Sequence, residues 1–204
     1  MQTRAGKVFR ACRYNPPMFD PYVGLPDAAV SSDLAEPAHA LHPHLAPLAL
    51  LLGTWRGEGR ATYPTLGDIA YGEETVLAPV PGRPLCWYEQ RTWALADERP
   101  LHDETGWWRV HPDGQLELLI AAATGLVEVD AGSVVVEHGV ARAETSSISV
   151  VATPTGPEAG IVTRSLASDG ATLRYEVHME VGGQPLDMHL LATLRRVQPG
   201  GESV

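Results

Sequence analysis

The sequence predicts an all-β protein, a ten-stranded antiparallel up-and-down β-barrel with a short N-terminal helix. Three observations carry that expectation. From Gly53 onward, short runs alternate apolar and polar residues with a period of two, as half-buried strands do. Gly, Pro and Asp punctuate those runs at intervals of about ten residues, the spacing of an all-β barrel or sandwich. No helix-length segment separates consecutive runs, so neighbouring strands meet through tight turns and run antiparallel. Closing such a sheet removes its edges and encloses a cavity.

Residues 1–38 are rich in Pro, Ala and Asp without a sustained period, which predicts a loosely ordered extension. The barrel domain is expected over 39–198 and a short tail over 199–204. A helix is expected across 39–51, where Leu41, Leu45, Leu48 and Leu52 share one face, although Pro43 and Pro47 limit its regularity. The strands are expected at about 53–63, 69–79, 84–94, 101–110, 115–122, 125–130, 133–137 joined to 139–150, 160–167, 171–180 and 186–197. Pro81-Gly82, Asp113-Gly114, Asp169-Gly170 and Gly182-Gly183 supply turns, Asp-Gly being among the stronger hairpin markers.

The opening strand is the most informative. Thr54, Arg56, Glu58, Arg60 and Thr62 form a polar face, and Trp55, Gly57, Gly59, Ala61 and Tyr63 form an inner one. Between two large aromatics that inner face has almost no side chains. Repeated glycine in a strand suggests close approach of another backbone or a ligand. A Trp below an emptied wall suits a cavity with one plugged end; a sharply coiled strand with no ligand is the alternative.

Elsewhere parity narrows the choices. In the ninth strand Leu173, Tyr175, Val177 and Met179 share the apolar face, and in the fifth Leu116, Leu118, Ile120 and Ala122 do. In the fourth, His102, Glu104, Gly106 and Trp108 oppose Asp103, Thr105, Trp107 and Arg109, and either set could face inward. In the last, Met188, Leu190, Ala192 and Leu194 oppose Asp187, His189, Leu191 and Thr193. Both of its faces are substantially apolar, which suits a cavity on one side and a second subunit or the helix on the other. An imidazole projecting into an apolar pocket suits haem iron, and a hydrogen-bonded structural histidine is the alternative. Zinc is disfavoured because no second ligand stands at a suitable spacing.

Composition excludes several function classes. The formal net charge of −10 repels phosphate backbones, and no Lys/Arg stripe opposes it, so nucleic-acid binding is not expected. No apolar run reaches the roughly 18 residues that span a bilayer, so no membrane partner is expected. Cys12 and Cys86 lie far apart and read as reduced thiols of a cytoplasmic protein.

Gly53-Thr54-Trp55-Arg56-Gly57-Glu58-Gly59 resembles the G-x-W-x-G-x-G motif of the nitrobindins, with Tyr63-Pro64-Thr65 following. The resemblance continues through Tyr71-Gly72-Glu73-Glu74, Gln90-Arg91-Thr92-Trp93, Pro100-Leu101-His102 with Glu104 and Gly106, and Thr124-Gly125-Leu126-Val127-Glu128-Val129. It closes with Gln184-Pro185-Leu186 and His189-Leu190-Leu191-Ala192-Thr193-Leu194-Arg195-Arg196, covering about residues 45–197.

That resemblance implies a barrel similar to fatty-acid-binding proteins and lipocalins, holding one haem b per subunit, commonly as a homodimer. It implies reversible nitric oxide binding and isomerisation of peroxynitrite to nitrate. His189 occupies the place of the proximal iron ligand, acting in catalysis through the iron. Thr65 matches a haem-contacting threonine, and His102, Ala122 and Met179 match cavity-lining positions, which selects the inward option for His102. Trp55, Gly57 and Gly59 are then expected to border the haem space. The alternatives are a carrier of a fatty acid or other apolar ligand, and a haem or nitric-oxide sensor without turnover.

Overall fold

The computed structural model describes residues 40–63 and 67–197. Thr65, Cys12, the extension expected over 1–38 and the tail over 199–204 lie outside the described residues. Ten strands form a closed barrel: β1 (Gly53–Tyr63), β2 (Gly67–Pro79), β3 (Leu85–Ala94), β4 (Pro100–Val110), β5 (Gln115–Ala122), β6 (Leu126–Glu137), β7 (Val140–Ala152), β8 (Ala159–Ser168), β9 (Thr172–Val181) and β10 (Asp187–Arg196). Every strand pairs antiparallel with its sequence neighbours, and β1 pairs with β10 to close the ring.

Two expected elements are corrected. The segments 125–130 and 133–137 form one continuous strand, β6, and 139–150 belongs to β7 alone. Asp130-Ala131-Gly132 resembles a turn in sequence, but a bulge lies between Val129 and Asp130, and Asp130 faces inward, fully buried. Gly132 keeps the strand going because a Cβ there would collide with the Glu144 carbonyl of β7. The true turn falls at His138-Gly139, both with positive φ. The leading helix is a six-residue 3-10 turn, Pro43–Leu48, rather than a helix over 39–51. Pro47 lacks the amide that a longer helix would use.

That short helix plugs one end of the barrel. Leu45, Leu48 and Leu51 are buried with Trp55, whose indole Nε1 donates to the Leu51 carbonyl at 2.8 Å. Arg196 lies 4.3 Å above the Trp55 ring and donates to the Leu50, Leu52 and Gly170 carbonyls. Together with the Ser168 hydroxyl, which donates to the Leu50 carbonyl at 2.7 Å, these bonds tie the end of the plug to the turn between β8 and β9.

The fully buried Trp55 and the outward Arg56 and Glu58 follow the alternation of the opening strand. Its glycines are closely approached by neighbouring groups. A Cβ on Gly57 would strike the backbone of β10 at Thr193 and Leu194, and one on Gly59 would strike the Tyr71 ring and the Leu191 carbonyl. Both glycines let β10 and Tyr71 close against β1.

Candidate functional site

Above the Trp55 plug the barrel holds a cavity of about 1150 Å³ when its open mouth is counted. Ile69, Leu101, Ala122, Leu126, Leu166, Val177, Met179 and Leu190 supply much of its apolar wall. His102 and His189 also line it. Ala122, Met179 and Trp55 are among the lining residues too, and Gly57 and Gly59 lie against β10 and Tyr71.

His189 reaches the cavity by breaking the alternation. Strict parity puts it with Leu191, which is exposed, and opposite Leu190, Ala192 and Leu194, which turn inward. In β10 the register against β9 shifts between Met188 and Leu190, leaving His189 as the extra residue of a bulge. A bulge re-aims a side chain at a site, so His189 and Leu190 both point inside while Met188 stays exposed. The His189 Nδ1 lies 3.1 Å from the Thr62 carbonyl oxygen of β1. A carbonyl only accepts, so Nδ1 carries the proton and Nε2 carries the lone pair.

Burial lowers the His189 pKa, the nearby His102 adds to this, and the Thr62 bond opposes it. The ring is therefore neutral at neutral pH. A neutral imidazole, oriented through its second nitrogen and set in an apolar wall, is the donor arrangement that haem iron takes. The residues present fit that group.

On the opposite wall His102 Nε2 lies 3.2 Å from Glu104 Oε2. Burial would lower the His102 pKa, but the bond and charge of Glu104 outweigh it and raise the value. Burial likewise works to raise the Glu104 pKa. Arg164, His102 and Tyr88 overcome it and bring the value down to about 2, so the group is a carboxylate.

Below the mouth lies a polar floor that the strand patterns did not reveal. Arg164 of β8 donates through Nη1 to Glu128 Oε2 at 2.6 Å and Asp130 Oδ2 at 2.9 Å, and its Nη2 stands 3.6 Å from Glu104 Oε2. A second cluster surrounds Glu73, which accepts from Thr75 at 2.5 Å, from Gln90 at 2.8 Å and from Tyr175. The Tyr71 and Tyr175 hydroxyls are 2.9 Å apart. Burial raises the Glu73 pKa despite those three bonds. One buried guanidinium thus faces an excess of buried carboxyl groups. Parity contained the signal: Glu73 lies in phase with Tyr71 and Leu77, and Arg164 with Val162 and Leu166. Charged residues on an inner face read as a solvated face until the sheet is closed.

Known proteins share this chain's sequence and shape. The profile of a family described as "THAP4-like, heme-binding beta-barrel domain" matches residues 44–196. Peroxynitrite isomerase 2 of Mycobacterium avium (strain 104) is 45% identical over 156 residues, covering 76% of this chain and 96% of that protein. The peroxynitrite isomerase of Nocardia farcinica (strain IFM 10152) is 40% identical over 161 residues, covering 79% and 95%. The crystal structure of Rv2717c from M. tuberculosis matches with a TM-score of 0.74 at 41% identity, covering 78% of this chain and 99% of that one.

Proposed function

The chain belongs to the THAP4-like, heme-binding beta-barrel family, and from that premise we propose that it is a haem-dependent peroxynitrite isomerase that also binds nitric oxide. The observation that carries this reading is the bulge at His189. It delivers one neutral imidazole, held at Nδ1 by a backbone carbonyl, into an otherwise apolar wall. When bound, the haem supplies a Lewis-acidic iron, active in one-electron chemistry, for the rearrangement of peroxynitrite to nitrate.

The chain's own contribution is to hold and enclose. His189 would hold the iron through Nε2, and the Thr62 carbonyl fixes the tautomer with the proton on Nδ1. Met179, Ala122 and Leu190 offer apolar surface to a flat macrocycle and limit water at the reacting face. Peroxynitrite and nitrate have the same atoms and charge, so the conversion needs no net proton from the protein.

A carrier of an anionic lipid is a poorer fit. The interior guanidinium of Arg164 is already engaged by Glu128, Asp130 and Glu104, so a carboxylate head would meet surplus negative charge. We further infer one haem b per barrel, a homodimer and a cytoplasmic setting. One histidine with this donor geometry in one cavity supports the stoichiometry, and the exposed Met188 and Leu191 beside the mouth support association.

Haemin titration with the absorption spectrum, followed by stopped-flow peroxynitrite decay with nitrate quantified, tests the reading. Saturation at one haem per chain and accelerated decay to nitrate are expected. Haem binding without accelerated decay would leave a sensor, and no haem binding would leave a carrier.

A further inference from the structure

Two histidines face this cavity, and they are built to opposite specifications. His189 is held at Nδ1 by the Thr62 carbonyl, which puts the proton on that nitrogen. His102 is held at Nε2, against a group that can only accept, because Glu104 is ionised. Its Nε2 therefore carries a proton, and the remaining nitrogen is Nδ1, crowded by its own Cβ and a poorer donor to a porphyrin iron.

The structure invests heavily in that restraint. Between β3 and β4 the register shifts from Arg91 to Trp93, and the ladder skips His102. The Thr92 hydroxyl takes over, accepting from the His102 amide at 3.0 Å and donating to the His102 carbonyl at 3.0 Å. Glu104 is pinned in turn: its Oε1 accepts from the Tyr88 hydroxyl at 2.6 Å, and Arg164 lies 3.6 Å from its Oε2. Arg164 is itself fixed across the barrel by Glu128 and Asp130. A continuous polar chain thus runs from one cavity histidine to the opposite wall, and its last link engages Nε2 of the imidazole.

We propose that Glu104 is a positioning residue that decides which cavity histidine takes the iron. By occupying Nε2 of His102 it prevents a second axial histidine and keeps one iron face open for nitric oxide and peroxynitrite. The inference rests on the reading above, in which His189 is the axial ligand.

The test compares the ferric holoprotein of the wild type with Glu104→Leu, Glu104→Gln and the double variant Glu104→Leu/His102→Ala. The readouts are the low-spin fraction by electron paramagnetic resonance and the cyanide-binding rate. Glu104→Leu should turn low-spin with a bis-imidazole signature and bind cyanide at least about tenfold more slowly, the scale set by losing a charge-assisted bond. Glu104→Gln retains an acceptor oxygen and should resemble the wild type, and the double variant should return to it. A folded Glu104→Leu with the wild-type spectrum and cyanide rate would overturn the proposal. So would a wild-type bis-imidazole signature that His102→Ala abolishes.

Should Glu104→Leu fail to fold, by circular dichroism, nitrogen NMR of the wild-type ferrous carbonyl complex decides instead. His102 Nε2 should be protonated; an unprotonated Nε2 refutes the restraint. His189→Ala, run alongside, separates the two readings. An unchanged haem spectrum there would refute the His189 assignment. Loss of the band there, with Glu104→Leu unaffected, would refute the role of Glu104 alone.

Discussion

Asp130 offers the sharpest quantitative test of the barrel's polar floor. Its Oδ2 accepts from Arg164 Nη1 at 2.9 Å, and its Oδ1 is buried without a hydrogen-bond partner. Burial raises its pKa, and Glu128 and Glu104 push the same way against Arg164, so the value climbs from 3.8 to about 6. The folded state therefore binds this proton more tightly than the unfolded chain. The stabilisation it brings is complete below 3.8 and is lost as pH rises through about 6. That interval, at about 1.4 kcal/mol per pH unit, amounts to about 3 kcal/mol, of which about 1 kcal/mol falls between pH 5 and pH 7.

The perturbation is Asp130→Asn, which keeps an acceptor oxygen for Arg164 and cannot titrate. Urea unfolding at pH 5 and pH 7, on samples of equal haem content, gives the assay. The wild type should lose about 1 kcal/mol more than the variant over that interval. Glu73, His102 and His189 titrate in both proteins, so the difference between the two slopes isolates Asp130. Parallel slopes would refute the claim that this carboxyl is held near neutrality by the floor it stands in.

His189→Ala should abolish specific haem uptake while leaving the fold intact by circular dichroism. Because burial lowers the His189 pKa, haem affinity in the wild type should persist below pH 6.5 and fall only on further acidification, which haemin titration across pH will show. Trp55→Ala empties the plug and removes the ring under Arg196, so it should cost about 3–5 kcal/mol in chemical denaturation. Gly59→Ala should lower the melting temperature by driving a methyl into the Tyr71 ring, with haem uptake lost only as the fold is lost. A variant of normal stability that fails to take up haem would restore the idea that this glycine clears space for the ligand.

Much of this architecture can be read residue by residue. Trp55 against Arg56, Leu173 against Arg174 and Leu118 against Glu117 each show a buried side and a solvated one, because alternation depends only on neighbours two apart. Asp113-Gly114 and Asp169-Gly170 mark real turns, since Gly114 and Gly170 adopt positive φ there. His102 was ambiguous by parity alone; the closed sheet turns it inward with Glu104 and Trp108. The segment Asp130-Ala131-Gly132 misleads for a physical reason. A buried acid and a glycine look like a turn unless Arg164, far along the chain, is known to stand opposite.

The class of fold, the number of strands and the histidine on the closing strand are legible along the chain. All of these follow from local periodicity and turn chemistry. That His189 enters the cavity depends on a one-residue bulge, which reverses the direction that alternation assigns. Closure of the ring brought Arg164 to Glu104, Glu128 and Asp130, and set Gly57 and Gly59 against β10 and Tyr71. Those outcomes depend on register between distant strands, and no pattern of neighbours along the chain encodes it.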